Sequence, residues 1–457
     1  MTDRTLSIVI LAAGKGTRMH SRRPKVLHPI AGRSMLGHVL ELAGSIPGAR
    51  IGVVIGPGME DVREEAARWA PDASIFVQEN QSGTADAVLA ARSLLETSNG
   101  DVIVLYADSP LMRKETLGKL IDSLDAGAAV SVVGFEAPDP TGYGRLLTDQ
   151  SGHLVAIREH KDASPEELKV RLCNSGVMAF RLPDIAKVLD RIGNDNAKGE
   201  YYLTDAVEIA RADGGIAAVV TCEADEVLGV NSRDQLAEAE AMWQARARRA
   251  FMQAGVTMIA PETVWLSYDT QIGCDVTIEP NVFIGPGVTI AEGVRIKANS
   301  YLEGIDRKSA GGLRIESGAE VGPFARLRPG TELGANVHIG NFVEVKNAVV
   351  EAGAKANHLT YIGDGVVGAG ANIGAGTIFC NYDGFKKSRC EVGAGAFIGS
   401  NSALVAPVTI GDGAYVAAGS VITTNVEADS LAVVRATRED RPGWAAKYRA
   451  MMQRRKG

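Results

Sequence analysis

Gly14 and Gly16, in the segment LAAGKGTRM, follow the apolar run LSIVIL, and Arg18 and Lys25 come close behind them. Glycines at a strand-to-helix turn let backbone amides face an anion, and two cations beside them complete a cradle for phosphate. A dinucleotide fingerprint needs a third glycine and an acidic residue about twenty positions on, and neither is present. A P-loop is excluded because no Gly-Lys-Ser/Thr closes the turn. Asp108 ends the run DVIVLYAD, at the carboxyl end of a strand, where open α/β sheets bind ligands. One carboxylate plus substrate phosphates is an ordinary magnesium arrangement, with Asn231, just after EVLGV, a candidate second protein ligand. Taken alone, either residue more often caps a strand end. In the second half His358 lies in VEVKNAVVEAGAKANHLTYIGD and is followed by Tyr361. An imidazole on a polar loop suits proton transfer near neutral pH, although a lone histidine is ordinarily a surface residue.

The elements that must position these groups differ between the halves. Residues 1–233 alternate β-branched runs (LSIVIL, IGVVIG, SIFVQE, DVIVLYAD, AAVSVVGF) with helix-like stretches such as TADAVLAARSLLE and ETLGKLIDSL. That alternation predicts an α/β domain with a mostly parallel sheet, and RLLTD and LVAIREH, joined by QSG, predict a hairpin that makes the sheet mixed. Residues 234–254, DQLAEAEAMWQARARRAFMQA, lack glycine and proline and predict a connecting helix.

Over 255–457 the apolar period becomes six. Leu266, Ile272, Ile278, Ile284, Ile290, Ile296 and Leu302 sit on one lattice, Ile315 to Val345 on a second and Val392 to Ile422 on a third. An even spacing keeps a side chain on one face of an extended chain but carries it around a helix, so the repeat is all-β, in stacked coils with three flat faces. Three stretches break the lattice: Glu303 to Arg314, Lys346 to Tyr361, and Cys380 to Cys390. Such insertions are expected to project as loops, where function collects. The charged tail from Asp429, ending RRKG, reads as a solvated arm.

With 457 residues and a net charge of −7, the chain can bury large cores but has no global positive field for nucleic acid or an anionic membrane. Its apolar opening, Leu6 to Ala13, is too short to span a bilayer, which predicts a cytosolic protein. Five widely spaced cysteines suggest buried thiols rather than disulfides or a zinc site.

LAAGKGTRM and PKVLH resemble the nucleotidyltransferases that join a sugar 1-phosphate to a nucleoside triphosphate. Together with QSGTADAV, GYGR, REHKDA, NSG, GVNS and the hexapeptide half, nearly the whole chain resembles the bacterial bifunctional uridylyltransferase and acetyltransferase family that makes UDP-N-acetylglucosamine. The resemblance implies a Rossmann-like domain joined by a helix to a left-handed parallel β-helix, in a homotrimer using Mg²⁺, UTP and acetyl-coenzyme A. It also implies that Leu11, Ala12, Ala13, Gly14, Lys25, Gln78, Gly83, Thr84 and Tyr106 hold the nucleotide. Gly144, Glu159 and Asn174 would meet the sugar, Asp108 and Asn231 the metal, and Arg18 and Lys25 would neutralise charge. The family often has glycine before the metal aspartate; here Ala107 stands there.

In FARLRPG, VEVKNA, GANIGAGT, CNYDG and FIGSN the resemblance continues into the acetyltransferase half. It implies that Arg328, Lys346, Tyr361 and Asn372 hold glucosamine 1-phosphate. Ala375, Asn381, Tyr382, Ser400, Ala418 and Arg435 would line the acetyl-coenzyme A groove, and Glu344 would orient His358. Two rivals stand beside this reading. A repeat half that only assembles or regulates leaves the segment carrying His358 and Tyr361 without a task, and a pure repeat scaffold leaves Asp108, Asn231 and the phosphate turn unexplained.

Overall fold

Runs of valine and isoleucine set the first layer. In the computed structural model, which describes residues 5–96, 100–181, 185–305 and 311–455, they form β1 (Ser7–Leu11), β2 (Arg50–Ile55), β3 (Ser74–Val77), β4 (Val102–Tyr106) and β5 (Val130–Glu136). The hairpin β6 (Arg145–Thr148) and β7 (Leu154–Arg158) follows, then β8 (Leu172–Phe180) and β9 (Ala217–Thr221). The sheet runs β9-β5-β8-β4-β1-β2-β3; β8 is antiparallel to both neighbours, so the sheet is mixed. Ile8 and Ile10 pack into one apolar cluster and Val9 into the other, so β1 is buried on both faces, as a helix-covered parallel strand must be.

Helix α1 (Met35–Gly44) starts where the Ser34 hydroxyl accepts from the Gly37 amide and turns Leu36, Val39, Leu40 and Ala43 into the core. Its His38 Nε2 donates to the Ile30 carbonyl at 2.9 Å. Burial, helped by the Arg33 charge, pulls the His38 pKa down to about 4. The unfolded chain therefore takes up the proton first. The stability that neutral His38 contributes is present above pH 6.5 and is lost as the pH falls toward 4, by up to about 3 kcal/mol. In denaturant titrations from neutral pH to about pH 4.5, His38→Gln should lose less stability than the wild-type chain; parallel curves would remove His38 from the acid response.

The chain divides into two compact units, 1–246 and 247–457, with the division inside α2 (Arg233–Gln253). In the second unit short parallel strands stack in walls, pairing residues 18 apart, as in Ile278 with Ile296 and Leu327 with Val345. Ile278, Ile284, Ile290, Ile296 and Leu302 are fully buried, as the six-residue lattice demands, whereas Ile272 is half-buried. The architecture is a parallel β-helix.

Of the three expected loops, Cys380 to Cys390 does project: a Tyr382–Lys387 bridge closes a small hairpin with Phe385 fully exposed at its tip. Residues 306–310 of the first break lie outside the described residues, as do the last two of the basic tail. Lys346 to Tyr361 is a correction, because it stays in the wall. Here β10 (His338–Asn341), β11 (Glu344–Val350), β12 (Lys355–His358) and β13 (Tyr361–Val367) pair at a spacing of 17, as in Glu344 with Tyr361. Each coil is one residue shorter. The chain turns its corner inside the long strands β11 and β13, at positive φ on Asn347 and Asp364, so a five-residue step imitates an insertion.

The thiols also depart from expectation: Cys173 and Cys390 are buried, Cys222 and Cys380 half-buried and Cys274 exposed, all unpaired. The tail carries α3 (Trp444–Arg454), an exposed helix with Trp444 stacked on Tyr448. No described helix is long and apolar enough to cross a membrane.

Candidate active sites

The turn after β1 opens a cavity of about 330 Å³. Leu11, Ala12, Ala13, Gly14, Lys25, Gln78, Gly83, Thr84, Tyr106 and Asp108 line it, so these residues, drawn from four separate segments, meet at the carboxyl ends of β1, β3 and β4. Gly16 has φ 60, and a Cβ there would lie 2.5 Å from the Lys25 Cβ, so only glycine lets the lysine stem pass under the turn. A Cβ at Gly14 would meet nothing. The glycine is thus not demanded by its own packing, and the space beside it is open. Gln78 Nε2 donates to the Gly83 carbonyl and to Asp86, fixing the turn before Thr84.

Lys25, 9% exposed along its side chain, reaches Asp108 Oδ2 at 2.5 Å and Asn231 Oδ1 at 3.0 Å. Asn231 is brought there by the Val230 amide, which donates to the Asp108 carbonyl, and its own amide donates to Gln235 at the start of α2. Two oxygen donors therefore converge on one cation, a donor set suited to a hard divalent ion. Ala107 is fully buried, and its methyl packs in the core instead of lining the cavity. Arg18 is exposed and outside the cavity wall.

Gly144, Glu159 and Asn174 gather nearby: a Cβ on Gly144 would touch the other two, and the Asn174 amide donates to the Gly144 carbonyl. Asn174 sits where β8 and β5 slip register, which frees its carboxamide to accept from the Gly176 amide. Burial pushes the Glu159 carboxyl and the Tyr106 phenol up. Lys15, Gln81 and Glu200 also line the cavity and were missed. Lys15 and Gln81 lie inside the quoted motifs, and Gln81 Nε2 donates to the Ala13 carbonyl; Glu200 is in no local pattern.

In the second unit one corner of the β-helix forms a column. Backbone bonds from Leu359 to Asn341, Gly376 to His358, Asn401 to Ala375 and Gly419 to Ser400 set His358, Ala375, Ser400 and Ala418 on adjoining coils, with Arg435 beside Gly419. Strand spacing of about 4.8 Å per coil gives the column a rise of roughly 14 Å from His358 to Ala418. His358 is exposed, and its Nδ1 lies 2.8 Å from Asn341 Oδ1. Because that oxygen accepts, Nδ1 carries the proton and Nε2 keeps a free lone pair.

Arg328 and Lys346 occupy adjacent coils, with Tyr361 beside Glu344 on the next. Partial burial first, then Lys387 and Arg328, hold the Lys346 ammonium below the ordinary lysine range, so a bound anion would relieve a crowded cation set. Asn372 pairs with Lys355 on the adjoining wall. Asn381 is buried at the foot of the projecting hairpin, and Tyr382 is exposed on it. The expectation for Glu344 is corrected by register: it accepts from Arg328 at 2.8 Å, while Asn341 is the group on His358. β11 aligns Glu344 with Tyr361, whereas β10 aligns Asn341 with His358 on a different wall.

Residues 8–167 match the family model of a MobA-like NTP transferase domain, and residues 269–304 and 389–424 match the bacterial transferase hexapeptide (six repeats). The class is thereby a nucleotidyltransferase continued into a hexapeptide-repeat transferase. Similar proteins extend along the full length. The chain is 60% identical to the "Bifunctional protein GlmU" of Azorhizobium caulinodans, with 98% of each chain covered, and 58% identical to that of Xanthobacter autotrophicus, with 100% of each covered. It is 50% identical to that of Zymomonas mobilis, with 97% of each covered. The chain belongs to the GlmU family of bifunctional proteins, and it is an enzyme with nucleotidyltransferase and acetyltransferase activities.

Proposed function

We propose that residues 255–457 acetylate glucosamine 1-phosphate with acetyl-coenzyme A, and that residues 1–233 then join the product to UMP from UTP, releasing pyrophosphate. The observation that carries two reactions, over one reaction with an assembly domain, is the corner column in which His358 heads Ala375, Ser400 and Ala418. A scaffold needs no imidazole with a fixed Nε2 lone pair there. Incubating the pure protein with glucosamine 1-phosphate, acetyl-coenzyme A, UTP and Mg²⁺ should yield UDP-N-acetylglucosamine. Product from N-acetylglucosamine 1-phosphate but none from glucosamine 1-phosphate would leave the one-reaction rival standing.

In uridylyl transfer the sugar phosphate is itself the nucleophile and is already ionised, so its attack on the α-phosphorus requires no protein base. Gly144, Glu159 and Asn174 orient the sugar, while the amides of the Gly14 turn and the Lys25 ammonium face the triphosphate. Asp108 and Asn231 would hold Mg²⁺, which when bound supplies charge neutralisation at the phosphates. In acetyl transfer Arg328 and Lys346 anchor the sugar phosphate, and Glu344 holds Arg328 in place. His358 Nε2 takes a proton as the amine attacks the thioester carbonyl; the C–S bond then breaks and the thiolate of coenzyme A is protonated in turn.

The reading is of a cytosolic enzyme, because UTP and acetyl-coenzyme A are cytosolic pools, and of a homotrimer. Support for the trimer comes from exposed Leu359 beside His358, exposed Ile378 paired with Tyr361, and exposed Tyr382 and Phe385 on the hairpin that follows, apolar side chains that a second copy would cover. Light scattering at assay concentration is expected to give three chains per particle; a fully active monomer would refute the trimer.

A further inference from the structure

Asp364 is a carboxylate only 7% exposed, and the acetyl-transfer reading gives it no task. It stands in β13 between Asn347, one coil before, and Asn381, one coil after. Asn347 Nδ2 donates to its Oδ1 at 2.6 Å, Asn381 Nδ2 donates to its Oδ2 at 2.5 Å, and the Lys387 ammonium lies 3.8 Å from Oδ2. Donors thus arrive on both oxygens, from the coil carrying Lys346 on one side and from both strands of the projecting hairpin on the other. Of similar-sized side chains only aspartate can serve here, since an ionised carboxylate accepts on both oxygens whereas asparagine offers one acceptor and one donor. A charge this buried persists only when it is matched in this way.

We propose that Asp364 is a positioning residue for acetyl transfer. By holding Asn381 and Lys387 it fixes the 381–389 hairpin against the coil of Lys346, so that the coenzyme A groove keeps its shape beside the sugar pocket. The inference rests on the acetyl-transfer reading above. The bland alternative is a polar ladder that only seals a corner of the β-helix.

The test uses the full-length chain. Asp364→Asn sets one amide N–H against another and removes the partner of Lys387. KM for acetyl-coenzyme A is expected to rise about tenfold, with kcat within about twofold and KM for glucosamine 1-phosphate unchanged. Uridylyl transfer should not change. The swap Asn347→Asp with Asp364→Asn lets the amide at 364 donate to the carboxylate at 347 and accept from Asn381, but leaves Lys387 without the carboxylate it faces. It is expected to recover the thermal midpoint and keep the raised KM, and it carries the test alone should the single variant unfold. A normal KM for acetyl-coenzyme A in either folded variant, or a parallel loss for both substrates, would overturn the inference while wild-type activity stands. A wild-type chain without acetyl transfer would overturn the parent reading and this one with it.

Discussion

His358→Ala is expected to lower acetyl-transfer turnover by about 10²- to 10⁴-fold, the usual contribution of a positioned general base, while KM for glucosamine 1-phosphate changes little. The amine of the substrate is protonated near neutral pH and is then no nucleophile, so a neutral imidazole with a free Nε2 is what the attack lacks in the variant. Raising the pH should recover part of the rate, because the amine then loses its proton without help. Arg328→Ala, which removes a phosphate anchor, should raise KM instead and show no such recovery. Asn341→Ala separates the proton acceptor from the group that orients it: the imidazole remains but its tautomer is no longer fixed by the 2.8 Å bond, so turnover should fall by about tenfold or more. Glu344→Gln should act through Arg328, raising KM for the phosphosugar. Near-normal acetyl turnover in His358→Ala at neutral pH would remove the residue from the mechanism.

The legible parts of the molecule are those written in local periodicity. The six-residue lattice announced the β-helix because each lattice residue, from Ile278 to Ile422, faces the same narrow core and can be read without knowing its neighbours. The Gly14–Gly16 turn and Asp108 were legible for a similar reason, since a strand end is local and the chemistry gathers there. The orienting group on His358 was not. It depends on register: at 17 residues per coil Asn341 stands opposite His358 and Glu344 opposite Tyr361, whereas a spacing of 18 would set Gly340 opposite His358. The same difference turned Lys346 to Tyr361 from an expected loop into wall. The Lys25–Asp108–Asn231 contact was also beyond local pattern, because it joins three segments that only the sheet brings together. The sequence names its residues, but not that the lysine bridges the two oxygen donors.

That bridge makes the second large effect diagnostic. Asp108→Asn keeps the shape of the strand end but removes the carboxylate that pairs with Lys25 and that would hold the metal, so uridylyl transfer should fall by at least about 10²-fold. Acetyl transfer should persist at the wild-type rate, because every residue proposed for it lies in the other compact unit. Lys25→Ala should separate metal binding from catalysis. In the nucleotide-free protein the ammonium occupies the oxygens of Asp108 and Asn231, and a divalent ion must displace it. Manganese binding to the nucleotide-free protein, followed by its electron paramagnetic resonance signal, should therefore strengthen in Lys25→Ala and weaken in Asp108→Asn, while uridylyl transfer falls in both because a phosphate-facing cation or the metal site is lost. Opposite movements of affinity with a common loss of rate are what a lysine shared between an ion's place and a triphosphate produces. Equal weakening of manganese binding in the two variants would show that Lys25 does not hold the ion's place, and a matching loss of acetyl transfer in Asp108→Asn would refute the separation of the two sites.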